Sequence, residues 1–427
     1  MLILVLILLL SIAEYEEIFI YPNHSVSVMI KKEVFAWSIY DMANTAFSAL
    51  FVTFFYPLYI KYFLGGTDFQ IGLVFGLSML VVGLFVPFIG ALSDRLGKRI
   101  PFIMFFTIIC CLFTYAVVYV NLYFALFFGF AANVFYHAAL TTYNALLPRI
   151  AKKNELGWVS GIGVAVGYAG TLLSLIMGII ILNHYGWESE AGVKAMFPAT
   201  ALFFFGFSLI LYALIKEKGR KPNNLWHDIK YSFTAVIGTL KNIKAHTGLL
   251  FFIASMFMFV NAINAVIVFL YLYGRSEIGL SVKAFMLVYI VFSLAAVLGS
   301  FLFGKVTDKI GPKKTLFISS IIWLITTLIL LKVSSLTSFF IAGILGGIAL
   351  GSVWTAMRPL TIQLSPAKDI GQFFGFLELT DKFSGVLGPI VFGFLATRFN
   401  YQYAILSLII FFILGIVLLW FVPGRKE

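Results

Sequence analysis

The sequence predicts an all-α integral membrane protein with twelve transmembrane helices in two pseudo-symmetric six-helix halves. Three observations predict it. The 427-residue chain is 61% apolar and only 11% charged, with a mean hydropathy of +1.02, whereas a water-soluble chain carries about a quarter charged residues. Its apolar residues gather into twelve runs of membrane-spanning length. A polar motif in the first half also recurs in the second at a fixed offset of 214 residues.

The first six runs fall at about 36–60, 70–93, 101–120, 122–147, 159–182 and 195–215. Charged or Gly-, Pro- and Asn-rich breaks separate them. The second six fall at about 248–273, 284–304, 315–332, 338–363, 371–396 and 402–422. The chain therefore divides into halves at 29–215 and 248–427, joined by a linker at 216–247. Lys216, Lys218, Arg220 and Lys221 open that linker, and Leu225, Ile229, Phe233, Val236, Ile237 and Leu240 follow at helical spacing. The pattern predicts an amphipathic helix lying on the cytoplasmic leaflet. Residues 1–13 are apolar but too short to cross a core of about 30 Å. They lack the basic start and small-residue cleavage site of a signal peptide. With Met29 just ahead of Lys31 and Lys32, residues 1–28 are expected to be a dispensable N-terminal extension.

The formal net charge of +12 does not form one basic face, which excludes a nucleic-acid binder. Lys and Arg collect in short cytoplasmic loops of membrane proteins. Placing both termini inside puts 22 of the 30 basic residues on that side, with six outside (Lys61, Lys194, Arg275, Lys283, Lys332 and Arg398) and Arg358 and Lys382 within spans. A multi-pass protein of the cell membrane with cytoplasmic termini follows. Cys110 and Cys111 are adjacent in an apolar run, where they cannot form a disulfide framework and serve as small packing residues. The chain has no phosphate-binding Gly-Lys-Ser loop, zinc-spaced His/Cys set or nucleophile elbow. That argues against a primary pump and a membrane hydrolase, and the chain is expected to be neither an enzyme nor a cofactor or metal binder.

The repeated motif runs from Gly90 through Asp94, Arg95 and Gly97 to Arg99, and again from Gly304 through Asp308 and Lys309 to Gly311 and Lys313. Gly90 allows close helix approach, Asp94 can cap or pair with Arg95 and Arg99, and Gly97 permits a tight turn. A single copy would pass for an ordinary positive-inside turn, but two copies at one offset beside twelve spans do not. The motif resembles the signature of the major facilitator superfamily, whose fold the chain is expected to share.

A closer resemblance, from Trp37 onward, is to the branch containing the autophagy-related vacuolar amino-acid effluxer and its prokaryotic relatives. It rests on Trp37-Ser-Ile-Tyr-Asp41-Met-Ala-Asn44 with Tyr56-Pro57-Leu58-Tyr59, on Tyr143-Asn144 with Pro148, on Val159-Ser160-Gly161-Ile-Gly163 with Gly167-Tyr168, and on Gly371-Gln-Phe-Phe-Gly375 with Gly388-Pro389. Two positions depart from the pattern: Asn261-Ala-Ile-Asn264 stands where Asp-Gly-x-Asn is expected, and Gln363 where a basic residue is usual.

Polar residues within spans are costly and tend to face the bundle interior. The resemblance implies that spans 1, 4, 7 and 10 line a central cavity. Those spans carry Asp41 and Asn44, then Asn133, His137, Thr141 and Asn144, then Asn261 and Asn264, then Arg358. An Asn in such a place can equally be an interhelical hydrogen bond that packs helices. Asp41 and Arg358 would suit the two charges of a zwitterion, or would bind each other as a gate. Glu378, Asp381 and Lys382 crowd together in span eleven. They either neutralise one another or take up a coupling proton. Gly343, Gly347 and Gly351, like Gly163 and Gly167, are spaced as close-packing seams.

The resemblance implies a monomeric secondary transporter in the lipid bilayer, moving a small-molecule solute, an amino acid, by alternating access with a proton or sodium ion as coupling partner. A cation-coupled sugar symporter and a non-transporting receptor or lipid-handling protein on the same fold are the alternatives. Asp94→Asn should slow transport while leaving solute binding intact, as judged by comparing uptake with equilibrium binding. Equal loss of both would remove the motif from conformational latching.

Overall fold

Lipid gives backbone N–H and C=O groups no hydrogen-bond partner, so an apolar chain crosses it as helices that satisfy those groups internally. The computed structural model describes residues 17–20, 28–96, 98–151, 156–217, 247–364 and 370–423. Among these, twelve long helices follow one another. The N-terminal six are α1 (Lys32–Phe63), α2 (Asp68–Leu96), α3 (Ile100–Ala116), α4 (Leu122–Asn144), α5 (Leu156–Tyr185) and α6 (Glu190–Leu214). The C-terminal six are α7 (Thr247–Ile278), α8 (Val282–Ile310), α9 (Pro312–Leu331), α10 (Leu336–Leu364), α11 (Ile370–Arg398) and α12 (Tyr401–Trp420). Eleven are long and apolar enough to cross a membrane on their described residues alone. Several outrun their apolar stretches, since α7 continues through polar Arg275 and Glu277 to Ile278. Most of the linker and its expected amphipathic helix, residues 218–246, lies outside the described residues. One feature is not helical: β1 (Glu17–Ile20) and β2 (Val28–Lys31) pair antiparallel ahead of α1, Glu17 opposite Lys31.

Helix ends follow local chemistry. Asn121, Ser189, Ser281 and Asn400 each accept a hydrogen bond from the N–H three residues on, starting α4, α6, α8 and α12. Pro101 and Pro312 sit in the first turns of α3 and α9, where no N–H is needed. Gly311, at φ 86°, makes the turn between α8 and α9 in the left-handed region that the second motif copy requires.

The packing has an internal symmetry. In the first half α1 lies against α5 and α6, α2 against α4, and α3 against α4 and α6. In the second, α7 lies against α11 and α12, α8 against α10, and α9 against α10 and α12. The halves meet where α2 crosses α11 and α5 crosses α8, and where the middle of α1 meets α7. That middle stretch, Ser48–Phe55, winds in wider five-residue turns ahead of Pro57, as does Tyr59–Phe63. Wide turns of this kind absorb the hydrogen bond that a proline cannot make.

Close approach depends on glycine. A Cβ on Gly347 would lie 2.5 Å from the Phe292 carbonyl oxygen and one on Gly351 2.2 Å from that of Ala296, so α10 touches the backbone of α8. The expected seam at Gly343, Gly347 and Gly351 is therefore physical, and Gly163 and Gly167 make another against Trp37 and Thr45 of α1. At Gly388 of α11 a Cβ would fall 1.9 Å from the Asn261 carbonyl oxygen on α7, whereas at Gly206 nothing lies within 4 Å. Gly388→Ala should therefore lower the unfolding midpoint, costing about 1–3 kcal/mol by overpacking, while Gly206→Ala, within a helix and with open space around it, should not lower it. Thermal unfolding in detergent checks the pair.

A candidate solute site between the halves

The positioning of the site begins with a clamp between α1 and α4. The Trp37 indole donates to the Tyr143 carbonyl at 3.3 Å, and the Tyr143 hydroxyl donates to the Trp37 carbonyl at 3.0 Å. Their rings stack at 4.7 Å. Nearer the bundle centre Phe47 of α1 meets Tyr136 of α4 at 4.8 Å. These contacts fix the polar faces of α1 and α4 as one wall.

On that wall the hydrogen bonds dictate which atoms remain open. Ser78 of α2 donates its single hydroxyl proton to the Phe75 carbonyl at 2.8 Å. It can only accept from Asn133, whose amide nitrogen lies 2.5 Å away. This orients the Asn133 side chain and leaves its Oδ1 buried without a partner. His137, one turn on, has a buried, unpartnered Nδ1, and Asn44 on α1 a buried, unpartnered Oδ1. Buried polar groups are nearly always satisfied, so open ones in an apolar bundle are expected to meet water or a ligand. Half-buried Asp41 lies one turn before Asn44, its carboxylate facing α5: a Cβ on Gly167 would come within 3.3 Å of Oδ2.

Other expected site residues have different surroundings. Asn261 commits both polar atoms to backbone, donating to the Phe257 carbonyl at 2.7 Å and accepting from Gly388 N–H at 2.8 Å. It holds α7 to α11 beside Pro389, so each polar atom already serves helix packing. Asn264 and Asn144 are half-buried, and Asn144 ends α4. Lys382 is only 4% exposed, on the side of α11 that meets α2, where a Cβ on Gly83 would lie 3.5 Å from its own Cβ. The side chains of Arg358, Glu378 and Asp381 lie outside the described ones.

The first motif copy is described in part. Gly97 lies outside the described residues, as do the side chains from Gly90 through Asp94 and Arg95. Arg99 donates from its guanidinium to the Ala145 carbonyl. The Glu217 carboxylate accepts from the N–H groups of Arg99 and Ile100 at 2.5 and 2.8 Å and pairs with Arg149 at 3.2 Å. One acid thus caps α3 and ties the end of α6 to the turn after α4. In the second copy Gly304 is half-buried, and Asp308 and Lys309 are exposed at the end of α8.

At the end of the bundle opposite the first and last helix termini, residues that the sequence did not single out join the halves. Asp68 starts α2 with its side chain 6% exposed and takes Lys61 at 2.7 Å. Tyr401 of α12 donates to Asp68 at 3.1 Å and accepts from Lys61 at 2.7 Å. Phe69 N–H donates to Thr397 of α11 at 2.9 Å. On the other crossing Glu188 accepts from Arg275 at 2.7 Å and from Val282 N–H at 2.9 Å. Between them Phe54 packs on Tyr271 at 4.4 Å and on Phe285 at 4.7 Å. This distal end is closed.

A polar wall between two exchange-related six-helix halves, sealed at one end, defines a membrane transporter of the major facilitator kind. Residues 70–427 match the family described as "Vacuole effluxer Atg22 like", and the chain belongs to that family. It is 24% identical over 416 residues to the MFS-type transporter YxiO of Bacillus subtilis, spanning 93% of this chain and 96% of that one. It is 25% identical over 369 residues to the multidrug resistance protein MdtG of Salmonella arizonae, spanning 82% and 85%. Among solved structures it resembles the nucleoside transporter NupG, with a TM-score of 0.73 at 13% identity over 92% of this chain and 100% of that one. A bacterial homologue of the human lysosomal transporter Spinster, inward-facing and unoccupied, matches at 0.68 and 16% identity over 91% and 96%.

Tyr401→Phe keeps the ring and removes two bonds to charged partners, each worth about 1.5–3 kcal/mol when buried. Glu188→Gln weakens an ion pair whose partners are 47% and 27% exposed, worth under about 1 kcal/mol. Nitroxide labels at Tyr123 and Phe399, on opposite halves, should therefore show a larger long-distance population in Tyr401→Phe than in Glu188→Gln.

Proposed function

We propose that the protein is a secondary active transporter that carries a small amino-bearing metabolite, an amino acid, across the cell membrane by alternating access. The observation that carries this reading is the pair of open acceptors Asn133 Oδ1 and Asn44 Oδ1, with the unpartnered His137 Nδ1 on the same wall and Asp41 nearby. An acceptor-rich apolar enclosure is matched by a solute that arrives with donors and positive charge, as an ammonium does. The aromatic neighbours Phe47 and Tyr136 offer the solute's side chain an apolar bed.

Several further features belong to the proposal. The termini and the Glu217 staple face the cytoplasm, as the distribution of basic residues favours. The protein works as a monomer, since each half supplies the other's crossing partners. A proton or sodium ion drives the cycle, and the solute leaves chemically unchanged.

Binding of labelled L-leucine to protein in nanodiscs, competed by its deaminated acid 4-methylpentanoate, tests the amine end. The wild type should bind leucine and reject the acid. Asp41→Asn and Asn133→Ala should each weaken leucine binding about tenfold or more, the loss of one charge-assisted contact, and narrow the preference over the acid. Unchanged selectivity in both variants would refute the ammonium assignment, and exchange of labelled sugars but not amino acids would replace the solute class.

A further inference from the structure

The internal repeat separates what the Ser78–Asn133 pair does for packing from what it does for a solute. The 214-residue offset of the sequence motif also holds for the helices, carrying α2 (Asp68–Leu96) onto α8 (Val282–Ile310) and the start of α4 at Leu122 onto the start of α10 at Leu336. At that offset Ser78 corresponds to Phe292, Asn133 to Gly347 and His137 to Gly351. These three positions of the second half close α10 on α8: a Cβ on Gly347 would run into the Phe292 carbonyl oxygen and one on Gly351 into that of Ala296. One helix pair thus packs through a ring and two glycines where its counterpart carries a hydroxyl, an amide and an imidazole. Packing of this pair does not call for a buried amide with an open oxygen, which is costly to keep.

Ser78 decides which end of that amide stays open. Its proton goes to the Phe75 carbonyl of its own helix, which leaves a lone pair for the Asn133 nitrogen. The nitrogen is thereby used, and the oxygen is left without a partner. An amide has two faces, since its oxygen accepts from an ammonium and its nitrogen donates to a carboxylate. Freed from the hydroxyl, the same side chain can turn over and serve an acid. We infer that Ser78 is a positioning residue that sets the charge class of the solute, acting through Asn133 to keep the wall an acceptor of amines and a poor partner for acids. At 0% exposure it touches no solute itself. This deepens the ammonium reading and rests on it.

The test uses two probes with one hydrocarbon tail and opposite heads, isoamylamine and 4-methylpentanoate, as competitors of labelled L-leucine on protein in nanodiscs. The wild type should prefer the amine by about tenfold or more, the worth of one charge-assisted hydrogen bond. In Ser78→Ala the freed amide can turn its nitrogen to the acid, so acid binding should rise about tenfold while amine binding changes less. Damage to the fold would weaken both probes together. In an Asn133→Ala background Ser78→Ala should bring no further change in the ratio, because its effect runs through the amide. Unchanged acid binding in a folded Ser78→Ala protein, equal loss of both probes, or a further shift in the Asn133→Ala background overturns the inference. If Ser78→Ala does not fold, Ser78→Cys decides, since sulfur is a weak acceptor: acid binding rises if Ser78 holds the amide and stays put if it does not. A wild type that prefers the amine without any response to Ser78 sinks only this inference. A wild type with no such preference sinks the ammonium reading together with it.

Discussion

Ser78 has one proton to give, and it gives it to the Phe75 carbonyl. The orientation of the Asn133 amide depends on this, because a hydroxyl so committed can only accept from its nitrogen, and the amide oxygen is then left buried without a partner. In water the choice would hardly matter, since solvent would satisfy either orientation. Among buried apolar side chains that choice matters, because an unsatisfied carbonyl oxygen carries a desolvation cost of about 1–3 kcal/mol. A chain that keeps Asn133, His137 and Asn44 in this condition keeps a demand that the protein itself does not meet. A solute that meets the demand recovers that desolvation cost as binding free energy.

The fold was legible because its signals are long and redundant. Twelve apolar runs, a polar motif copied at one offset and a lopsided distribution of basic residues all require the same architecture, and hydropathy needs no knowledge of neighbours. The glycine seams were legible for a similar reason, since spacing by four marks one helical face. The helix ends were less so, because a helix continues past the lipid until a cap or glycine stops it.

Side-chain duty was much harder to read. Asn261 and Asn133 look alike in sequence, each a lone amide in an apolar span. One is spent on the α11 backbone beside Pro389, and the other is left with an open oxygen. That difference comes from Ser78 and Gly388, residues on other helices that no local pattern connects to either amide. The distal closure was missed because its parts were sorted as loop residues. A hint lay in the few basic residues outside the positive side: Lys61, Lys194 and Arg275 each pair with an acid, Asp68, Glu190 and Glu188, and Lys283 lies over the Trp187 ring. Four of the six cations that depart from the charge rule thus have partners.

The two distal ties divide their charges differently. Lys61 and Asp68, the pair with the more buried acid, both belong to the N-terminal half, and hydroxyl and amide bonds to Tyr401 and Thr397 reach across, with Lys61 also lying 4.9 Å from the Tyr401 ring. Glu188 and Arg275 do face each other across the boundary, but both are substantially wetted. Among the described residues of this distal end, parting the halves therefore separates no pair of deeply buried opposite charges; the Glu188–Arg275 pair that must break there already shares its field with solvent and dissolved salt. Hinge motion on this side therefore need not separate Lys61 from Asp68. Ionic strength then acts as a selective handle, loosening one crossing while leaving the other untouched.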